Sequence, residues 1–121
     1  MNVISKTPGT PAQLSNLEYS EIRSFIGGTP ETVPFMSPNC ERYVIVCNDS
    51  FWLNGSEFNI FLAGVAFCGN IFICKEGIVN DEPDLVGLDK NDYIEIMLTL
   101  GWSLDDMRTV LSQHIFTSFY N

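Results

Sequence analysis

The sequence predicts an α+β fold, a single compact domain in which a small antiparallel sheet packs against an N-terminal helix and two C-terminal helices. The chain has 121 residues, 45% of them hydrophobic, which is enough material for one core. Short β-rich runs fill its middle, and segments of helical period lie on both sides of them. Such segregation of helices from an antiparallel sheet is typical of α+β domains.

The first predicted elements are a strand and a helix. Residues 2–6 predict a short edge strand, which stops before a segment that contains proline and glycine. Ser15 is the predicted N-cap of the helix, because Glu18 follows three residues later, as in a capping box. Apolar residues recur over 22–26, and the glycine pair at 27–28 predicts the end of the helix.

The middle of the chain predicts most of the sheet. Two prolines within 29–35 restrict that segment to an edge strand or an extended connection. Residues 42–48 and 51–53 predict a hairpin-like pair of strands around an Asn-Asp turn. The segment 59–75 is strongly apolar, and Gly69-Asn70 predicts a bulge or a turn within it.

The last third predicts a loop and two helices. Residues 76–87 are polar and contain glycine and proline, which predicts a loop. Asp89 is the predicted cap of the first helix and Gly101 its end, while Ser103 caps the second helix, about residues 103–117. We expect the second helix to be an extension of the domain. The predicted core-facing side chains are Ile94, Met97 and Leu98, followed by Leu104, Met107, Val110, Leu111 and Ile115.

The charge balance restricts the class of partner. Fifteen acidic residues against six basic residues give a net charge of −9. This charge repels nucleic acids and anionic membranes at long range, so we expect neither as a direct partner. It suits docking onto a basic protein surface. The expected acidic surface consists of Glu76, Asp81, Glu82 and Asp84, together with Asp105 and Asp106.

The four cysteines indicate a reducing compartment. They stand at positions 40, 47, 68 and 74, with spacings that fit neither a zinc site nor a redox pair. Three of them lie in apolar runs, where cysteine usually acts as a small hydrophobe. The N-terminus shows no secretion signal, and the apolar stretch 60–74 is too short to span a membrane. We therefore expect a cytoplasmic protein with reduced thiols.

No motif predicts catalysis or a bound metal. His114 is the only histidine, and no serine, cysteine or carboxylate is placed by motif to work with it. One histidine and scattered cysteines give no metal-ligand spacing. The acidic stretch 76–92 lacks the alternating ligands and the closing glutamate of an EF-hand. We therefore expect a non-enzymatic protein without a metal or a cofactor.

A polar and aromatic set around the predicted hairpin is the candidate ligand site. If Trp52 is exposed, its ring offers a stacking surface, and the amides of Asn48, Asn54 and Asn59 can read hydrogen-bond edges without adding charge. The simpler alternative is that Trp52 belongs to the core and the asparagines serve turns. The cations nearest to this set in sequence are Arg42 and Lys75.

Short motifs spread over residues 14–98 also point to a family. They are the helix end at 26–28, Glu31–Pro34, Val44–Asn48, Leu53–Gly55 with Asn59 four residues on, Gly69-Asn70 before an apolar run, and the helix start Asp89–Asp92. In these motifs the chain resembles a family of small phage and mobile-element proteins that carry a domain of unknown function. The resemblance implies no catalytic residue, since that family has no assigned active site. It implies a viral or plasmid context, in which many small accessory proteins antagonise host defence.

The resemblance, the acidity and the lack of catalytic motifs favour an anti-defence inhibitor. We expect it to bind and block a host defence protein in the cytoplasm of the infected cell. The alternative is a sponge that sequesters a nucleotide-derived immune signal near Asn48, Trp52 and Asn59. A homo-oligomer would favour the sponge, because several copies of Arg42 could then meet at a subunit interface. A third alternative is an enzyme that cleaves such a signal.

Overall fold

In the described part of the chain, a six-stranded antiparallel sheet, a separate two-stranded sheet and three helices form the domain, so the predicted α+β class is confirmed. The computed structural model describes residues 1–50 and 55–120, with side chains through residue 113. The strands are β1 (Asn2–Lys6), β2 (Gln13–Asn16), β3 (Pro30–Met36), β4 (Arg42–Asn48), β5 (Phe58–Leu62), β6 (Val65–Cys68), β7 (Ile71–Val79) and β8 (Glu82–Val86). The helices are α1 (Ile22–Ile26), α2 (Lys90–Leu100) and α3 (Leu104–Tyr120).

Strand β7 organises the sheet, whose order is β2-β1-β7-β4-β3 with β8 also paired to β7. The first residues of β7 pair with β1, and Lys75 to Val79 pair with β8. The opposite side of β7 pairs with β4. Leu88 N donates to Asn2 O at 2.8 Å, so β8 and β1 follow one another along one side of β7. Strand β1 therefore lies inside the sheet, and its prediction as an edge strand is wrong.

Both faces of the sheet are covered by apolar side chains. On one face, Ile45 and Ile73 pack with residues of α2, α3 and the separate β5–β6 hairpin. On the other face, Val46 and Phe72 pack against α1. A central strand that is buried on both faces reads as a continuous apolar run, which is the pattern of β4 and of the first half of β7.

The first helix begins later than the sequence predicts. Ser15 lies in β2, where its hydroxyl contacts that of Ser5 at 2.6 Å, so it caps no helix. The segment that contains Ser15 pairs with β1, and this strand pairing overrides the local capping pattern. A 3-10 turn at Tyr19–Glu21 precedes α1, with Glu18 and Glu21 forming the capping box instead. The predicted end is confirmed, because Gly27 adopts a left-handed conformation at φ 80°.

The predicted loop at 76–87 is a β-hairpin. Strands β7 and β8 pair in register, and the two residues between them, Asn80 and Asp81, have φ angles of 51° and 63°. A two-residue turn with positive φ at both positions matches the twist of the flanking strands. The sequence did not predict this hairpin, because its outer half is exposed. That half carries polar side chains and shows no alternation of apolar and polar residues.

The apolar segment 59–75 contains parts of three strands. Gly69-Asn70 connects β6 to β7, as predicted, and a second turn at Ala63-Gly64 separates β5 from β6. The predicted hairpin partner of β4, residues 51–53, lies outside the described residues. Both sides of β4 over Tyr43–Val46 are already paired, with β3 on one side and β7 on the other. The prediction of β3 as an edge strand is confirmed.

Helix α2 has the predicted ends and a different buried face. Asp89 caps it and Gly101 ends it in a left-handed conformation. Met97 is buried as predicted, but Ile94 is 48% exposed and Leu98 is 66% exposed. The helix has apolar residues on several sides, so its sequence alone does not select a buried face. The buried face consists of Asp92, Tyr93, Ile96 and Met97.

Helix α3 covers the free edge of β2. Asp106 Oδ1 accepts from Ala12 N at 2.5 Å, and Gln113 Oε1 accepts from Leu14 N at 2.6 Å. Val110 is buried between these two positions as predicted, whereas Leu104 is 70% exposed and contradicts its predicted core position. Side-chain acceptors on α3 thus satisfy backbone donors that an edge strand would otherwise present to water.

Replacing Asp106 should therefore destabilise the domain. We expect Asp106→Ala to lower the free energy of unfolding by about 1–3 kcal/mol, because it leaves a buried backbone donor without an acceptor. Urea unfolding followed by circular dichroism measures the change. The neighbouring Asp105→Ala is the control, since Asp105 is exposed and makes only a 3.9 Å pair with Arg108. Equal losses in the two variants would contradict the assigned role of Asp106.

Candidate functional site

A buried polar network joins the sheet to α2. The hydroxyl of Tyr43 donates to Asp92 Oδ1 at 2.7 Å and to Glu95 Oε2 at 3.3 Å. Lys75 Nζ lies 3.4 Å from the same Asp92 oxygen and 3.7 Å from Glu41 Oε2. Asp92 Oδ2 accepts from the backbone N of Asp89, which closes the capping box of α2. One buried carboxylate therefore fixes both the start of the helix and its contact with the sheet.

The pKa shifts of Tyr43 and Lys75 keep these two groups in their hydrogen-bonding forms. Burial, together with the hydrogen bond to Asp92, raises the pKa of Tyr43 far above its ordinary value of 10. The phenol therefore stays a donor. Burial alone would lower the pKa of Lys75, but Asp92 and Glu41 outweigh this effect and raise it. Lys75 consequently stays charged between two carboxylates.

An open groove lies beside this network, between α2 and the turn that connects β3 to β4. Its volume is about 430 Å³. Its principal lining residues are Pro38, Asn39, Asn91, Ile94, Glu95 and Leu98. Ile94 and Leu98 are the exposed apolar side chains of α2 described above, and Glu95 is part of the buried network. We call this feature the α2 groove.

The outer half of the β7–β8 hairpin carries the first predicted acidic group. Asp81, Glu82 and Asp84 are exposed, and none has an ion pair among the described residues. Glu76 differs, since its Oε2 lies 2.6 Å from Nε of Arg42. Ile78, which is 71% exposed, adds an apolar side chain to this acidic hairpin.

The hairpin and the α2 groove lie at the same end of the sheet. Tyr43 is opposite Lys75 in the register, so the β3–β4 turn, the outer hairpin and the start of α2 are neighbours. We call this region the acidic end. Its carboxylates are Glu41, Glu76, Asp81, Glu82, Asp84, Asp89, Asp92 and Glu95, and its basic residues are Arg42, Lys75 and Lys90. Only the hairpin part of this concentration was predicted from the sequence.

The two other predicted acidic residues do not extend this surface. Asp106 is buried, where it accepts hydrogen bonds from Ala12 N and Ser103 Oγ. Asp105 is exposed at the start of α3, beside the end of β2 that faces the beginning of β7. The length of β7 separates it from the hairpin tip by roughly 25 Å, at ~3.3 Å per residue. The predicted acidic surface is therefore not one contiguous patch.

Asn48 and Asn59 serve the fold. Asn48 Nδ2 donates to Gly27 O at 2.9 Å, and a Cβ on Gly28 would lie 2.6 Å from that nitrogen. Asn59 Oδ1 accepts from Lys6 Nζ at 3.0 Å, while its Nδ2 donates to the carbonyls of Lys6 and Gly69. Both side chains are buried, and internal partners occupy their amides. The structure thus places them as tethers between segments, away from solvent.

The remaining members of the polar and aromatic set divide in two. Trp52 and Asn54 lie outside the described residues, as does the side chain of His114. Arg42 and Lys75 are described, and both are held by carboxylates of the acidic end. The two cations therefore lie beside carboxylates and away from the two asparagines. Asn48 is at the other end of β4, and Asn59 is on β5.

The buried thiols stay protonated at neutral pH. Burial raises the pKa of Cys47 to about 11 and that of Cys74 to about 12. A thiol is a weak nucleophile until it ionises. Across the described side chains, no three histidine, cysteine or carboxylate groups converge in a way that could hold a metal ion. The titratable groups that do converge are those of the Tyr43–Asp92 network.

The sequence profile of a known family matches residues 1–100, a region that spans every element from β1 to α2. The chain belongs to the DUF3846 family, a domain of unknown function. The matched region contains the whole acidic end and stops before α3. Neither a curated protein nor a solved structure matches the chain significantly. Of the helices in the described part of the chain, none is both long enough and apolar enough to cross a membrane.

Removing the Tyr43 hydroxyl should weaken the DUF3846 fold. We expect Tyr43→Phe to lower the free energy of unfolding by about 2 kcal/mol, since a buried carboxylate loses its shortest side-chain donor. Thermal and urea unfolding measure this loss. Tyr19→Phe is the matched control, because Tyr19 is exposed and its hydroxyl donates to the carbonyl of Leu85. A Tyr43 effect no larger than the Tyr19 effect would refute the role of this network.

Asp89 should make stability depend on acid pH. Hydrogen bonding from the backbone N–H of Asp92, the largest cause, lowers the folded-state pKa of Asp89 below its ordinary value of 3.8. A lowered pKa contributes stability above 3.8, and this contribution disappears as the pH falls through the folded value. Asp89→Asn keeps an N-cap that does not titrate. We expect the variant to lose less stability than the wild type between pH 5 and pH 2, as measured by urea unfolding. Parallel pH curves would contradict this assignment.

Proposed function

We propose that this DUF3846 protein is a non-enzymatic binding protein that docks onto a basic protein surface through its acidic end. In its full form, the proposal is a phage or mobile-element accessory protein that binds and blocks a host defence component in the cytoplasm of the infected cell. The concentration of carboxylates at one end of the sheet supports the first part. The second part rests on the resemblance of short sequence motifs.

The hairpin charges favour association with a cationic surface. Asp81, Glu82 and Asp84 are exposed and lack ion-pair partners within the described residues, so their field extends into solvent. Clustered charge of one sign raises the rate of encounter with a partner of opposite sign, and salt suppresses this effect. The strand pairing of the hairpin orders the backbone that carries the three carboxylates, which limits the backbone entropy lost on binding.

An apolar anchor accompanies these charges. Val79 is opposite Glu82 in the register, so it lies on the same face of the hairpin as Glu82 and Asp84, and its side chain is 40% exposed. Interfaces usually combine a desolvated apolar centre with a polar rim, and the rim controls association rate and specificity. Docking by the hairpin would cover the basic face of the partner and occlude whatever that face binds. Steric occlusion requires no chemistry from the DUF3846 protein.

The arrangement of titratable groups supports binding over catalysis. Tyr43 and Lys75 both contact Asp92, and the pKa shifts of Tyr43 and Lys75 favour the forms that stabilise the fold. Catalytic groups, in contrast, usually have pKa values close to the working pH. The burial of the Cys47 and Cys74 thiols also favours their inactive, protonated form.

The sponge alternative has less support from the geometry. A phosphorylated signal requires free cations, but Arg42 and Lys75 already face carboxylates. The amides of Asn48 and Asn59, which were expected to read such a ligand, are occupied inside the fold. Among the described residues, the α2 groove contains no cation, and the cleft beside Arg42 and Glu76 contains no amide side chain.

Reversing the hairpin charge should weaken partner binding. We expect Glu82→Lys with Asp84→Lys to slow association with the captured host protein by about tenfold at low salt, because the steering field is reversed. Biolayer interferometry against the partner recovered from host lysate measures the rate. Raising the salt concentration should slow the wild-type association and have little effect on the variant.

A matched variant separates local charge from net charge. Asp49→Lys with Glu57→Lys makes the same change in net charge at exposed positions toward the opposite end of the sheet. We expect this control to retain most of the wild-type association rate. If the two double variants slow association equally, the acidic end is not the docking surface. Recovery of no stoichiometric host protein by the wild type would remove the basis of the proposal.

A further inference from the structure

Two apolar side chains on α2 are left without cover. Ile94 is 48% exposed and Leu98 is 66% exposed, although the helix buries Ile96 and Met97 completely. The exposed pair is spaced by four residues, so both side chains lie on one face of the helix. Together with Pro38 they line the α2 groove, which has space for the side chains of a bound segment. A concave apolar feature of this kind is typical of peptide-binding grooves.

Glu95 gives this groove a specific electrostatic feature. Its Oε2 receives a long contact of 3.3 Å from the Tyr43 hydroxyl, which has a shorter partner in Asp92. Its Oε1 is shielded from solvent and has no hydrogen-bond partner in the described part of the chain. An unsatisfied carboxylate oxygen is unfavourable in that position. Turning Glu95 toward the groove would lose one long hydrogen bond and expose a carboxylate to an incoming donor.

The surroundings of the groove select a cationic donor. Asp92 lies one helical turn before Glu95, and Glu41 and Asp89 are near the same end of α2. Lys75 is the cation in contact with this group, and it is shared between two carboxylates. A lysine or arginine from a partner would therefore meet excess negative charge, while its neighbouring apolar side chains would cover Ile94 and Leu98.

We propose that the α2 groove binds a segment of a partner protein in which a lysine or arginine is flanked by apolar residues. The cationic group pairs with Glu95, and the apolar residues pack on Ile94 and Leu98. This inference rests on the proposed binding function and assigns a specificity-determining site to it. The partner segment supplies the donor that Glu95 Oε1 lacks in the free protein.

A second copy of the chain fits this groove less well. Each copy carries a net charge of −9, so two acidic ends repel one another at close approach. Nucleic acid is disfavoured for the same reason. A basic and apolar peptide segment satisfies both the charge and the lining of the groove.

A model peptide tests the groove directly. The probe is a fluorescein-labelled amphipathic 14-residue peptide of leucine and lysine, and its comparator has glutamine in place of every lysine. Fluorescence anisotropy with the full-length protein gives Kd. We expect Leu98→Ala to raise Kd by about fivefold, and Leu104→Ala, an equally exposed leucine outside the groove, to leave it unchanged. Equal effects of the two leucine variants would overturn the proposal.

A double-substitution cycle isolates the contact with Glu95. We compare the rise in Kd when glutamine replaces lysine in the probe, measured once with the wild type and once with Glu95→Gln. This rise should be about tenfold larger for the wild type than for Glu95→Gln. Circular dichroism of Glu95→Gln confirms that the comparison uses a folded protein. An identical lysine effect in the wild type and the variant would refute the role of Glu95. A dimer in native mass spectrometry that Leu98→Ala dissociates would assign the groove to a second copy and also overturn the proposal.

The host partner distinguishes this inference from the proposed function. If the hairpin variant Glu82→Lys with Asp84→Lys loses the partner while Leu98→Ala and Glu95→Gln retain it, the docking function stands and the groove inference fails. If the groove variants lose the partner and the hairpin variant retains it, the groove stands and the hairpin is not the docking surface. Loss of the partner in both sets supports a single interface that spans the acidic end.

Discussion

The need to satisfy one buried carboxylate, Asp92, determines how α2 sits on the sheet. Its side chain accepts from Tyr43 on β4 and Lys75 on β7, and from the backbone of Asp89 at the start of its own helix. A buried carboxylate without such partners is strongly unfavourable, so these contacts restrict the rotation of the helix about its axis. The same residue thus joins secondary-structure capping to tertiary packing.

The orientation of α2 has consequences for the surface. With Asp92, Ile96 and Met97 facing the sheet, Ile94 and Leu98 must point outward, because they lie on another side of the helix. Glu95 then stands at the boundary between the buried network and the groove. The orientation of α2 on the sheet therefore produces both the buried network and the α2 groove. The acidic hairpin lies at the same end of the sheet.

The polar residues of this chain divide by their location. Asn48, Asn59 and Asp106 are buried, and each connects segments that are distant in sequence. Their prediction as ligand-reading or acidic surface groups came from residue type and position in the sequence, which carry no information on the element that later covers them. In contrast, Asp81 and Glu82 occupy a hairpin turn and its edge strand, where solvent exposure follows from the topology. An acidic residue thus stabilises the fold where it is buried, as Asp106 is, and is available for binding where it is exposed, as Asp81 and Glu82 are.

The sequence by itself determined the fold class, the ends of α2 and the prolines that keep β3 at an edge, because these follow from local backbone and capping preferences. It also determined the net charge. Only the tertiary structure decided where that charge lies, since strand pairing brings Tyr43 and Lys75 beneath α2, although they are 49 and 17 residues from Asp92 in sequence. It likewise decided which face of α2 is exposed. Long-range pairing and burial are collective properties, and a local pattern does not encode the partner that satisfies each group.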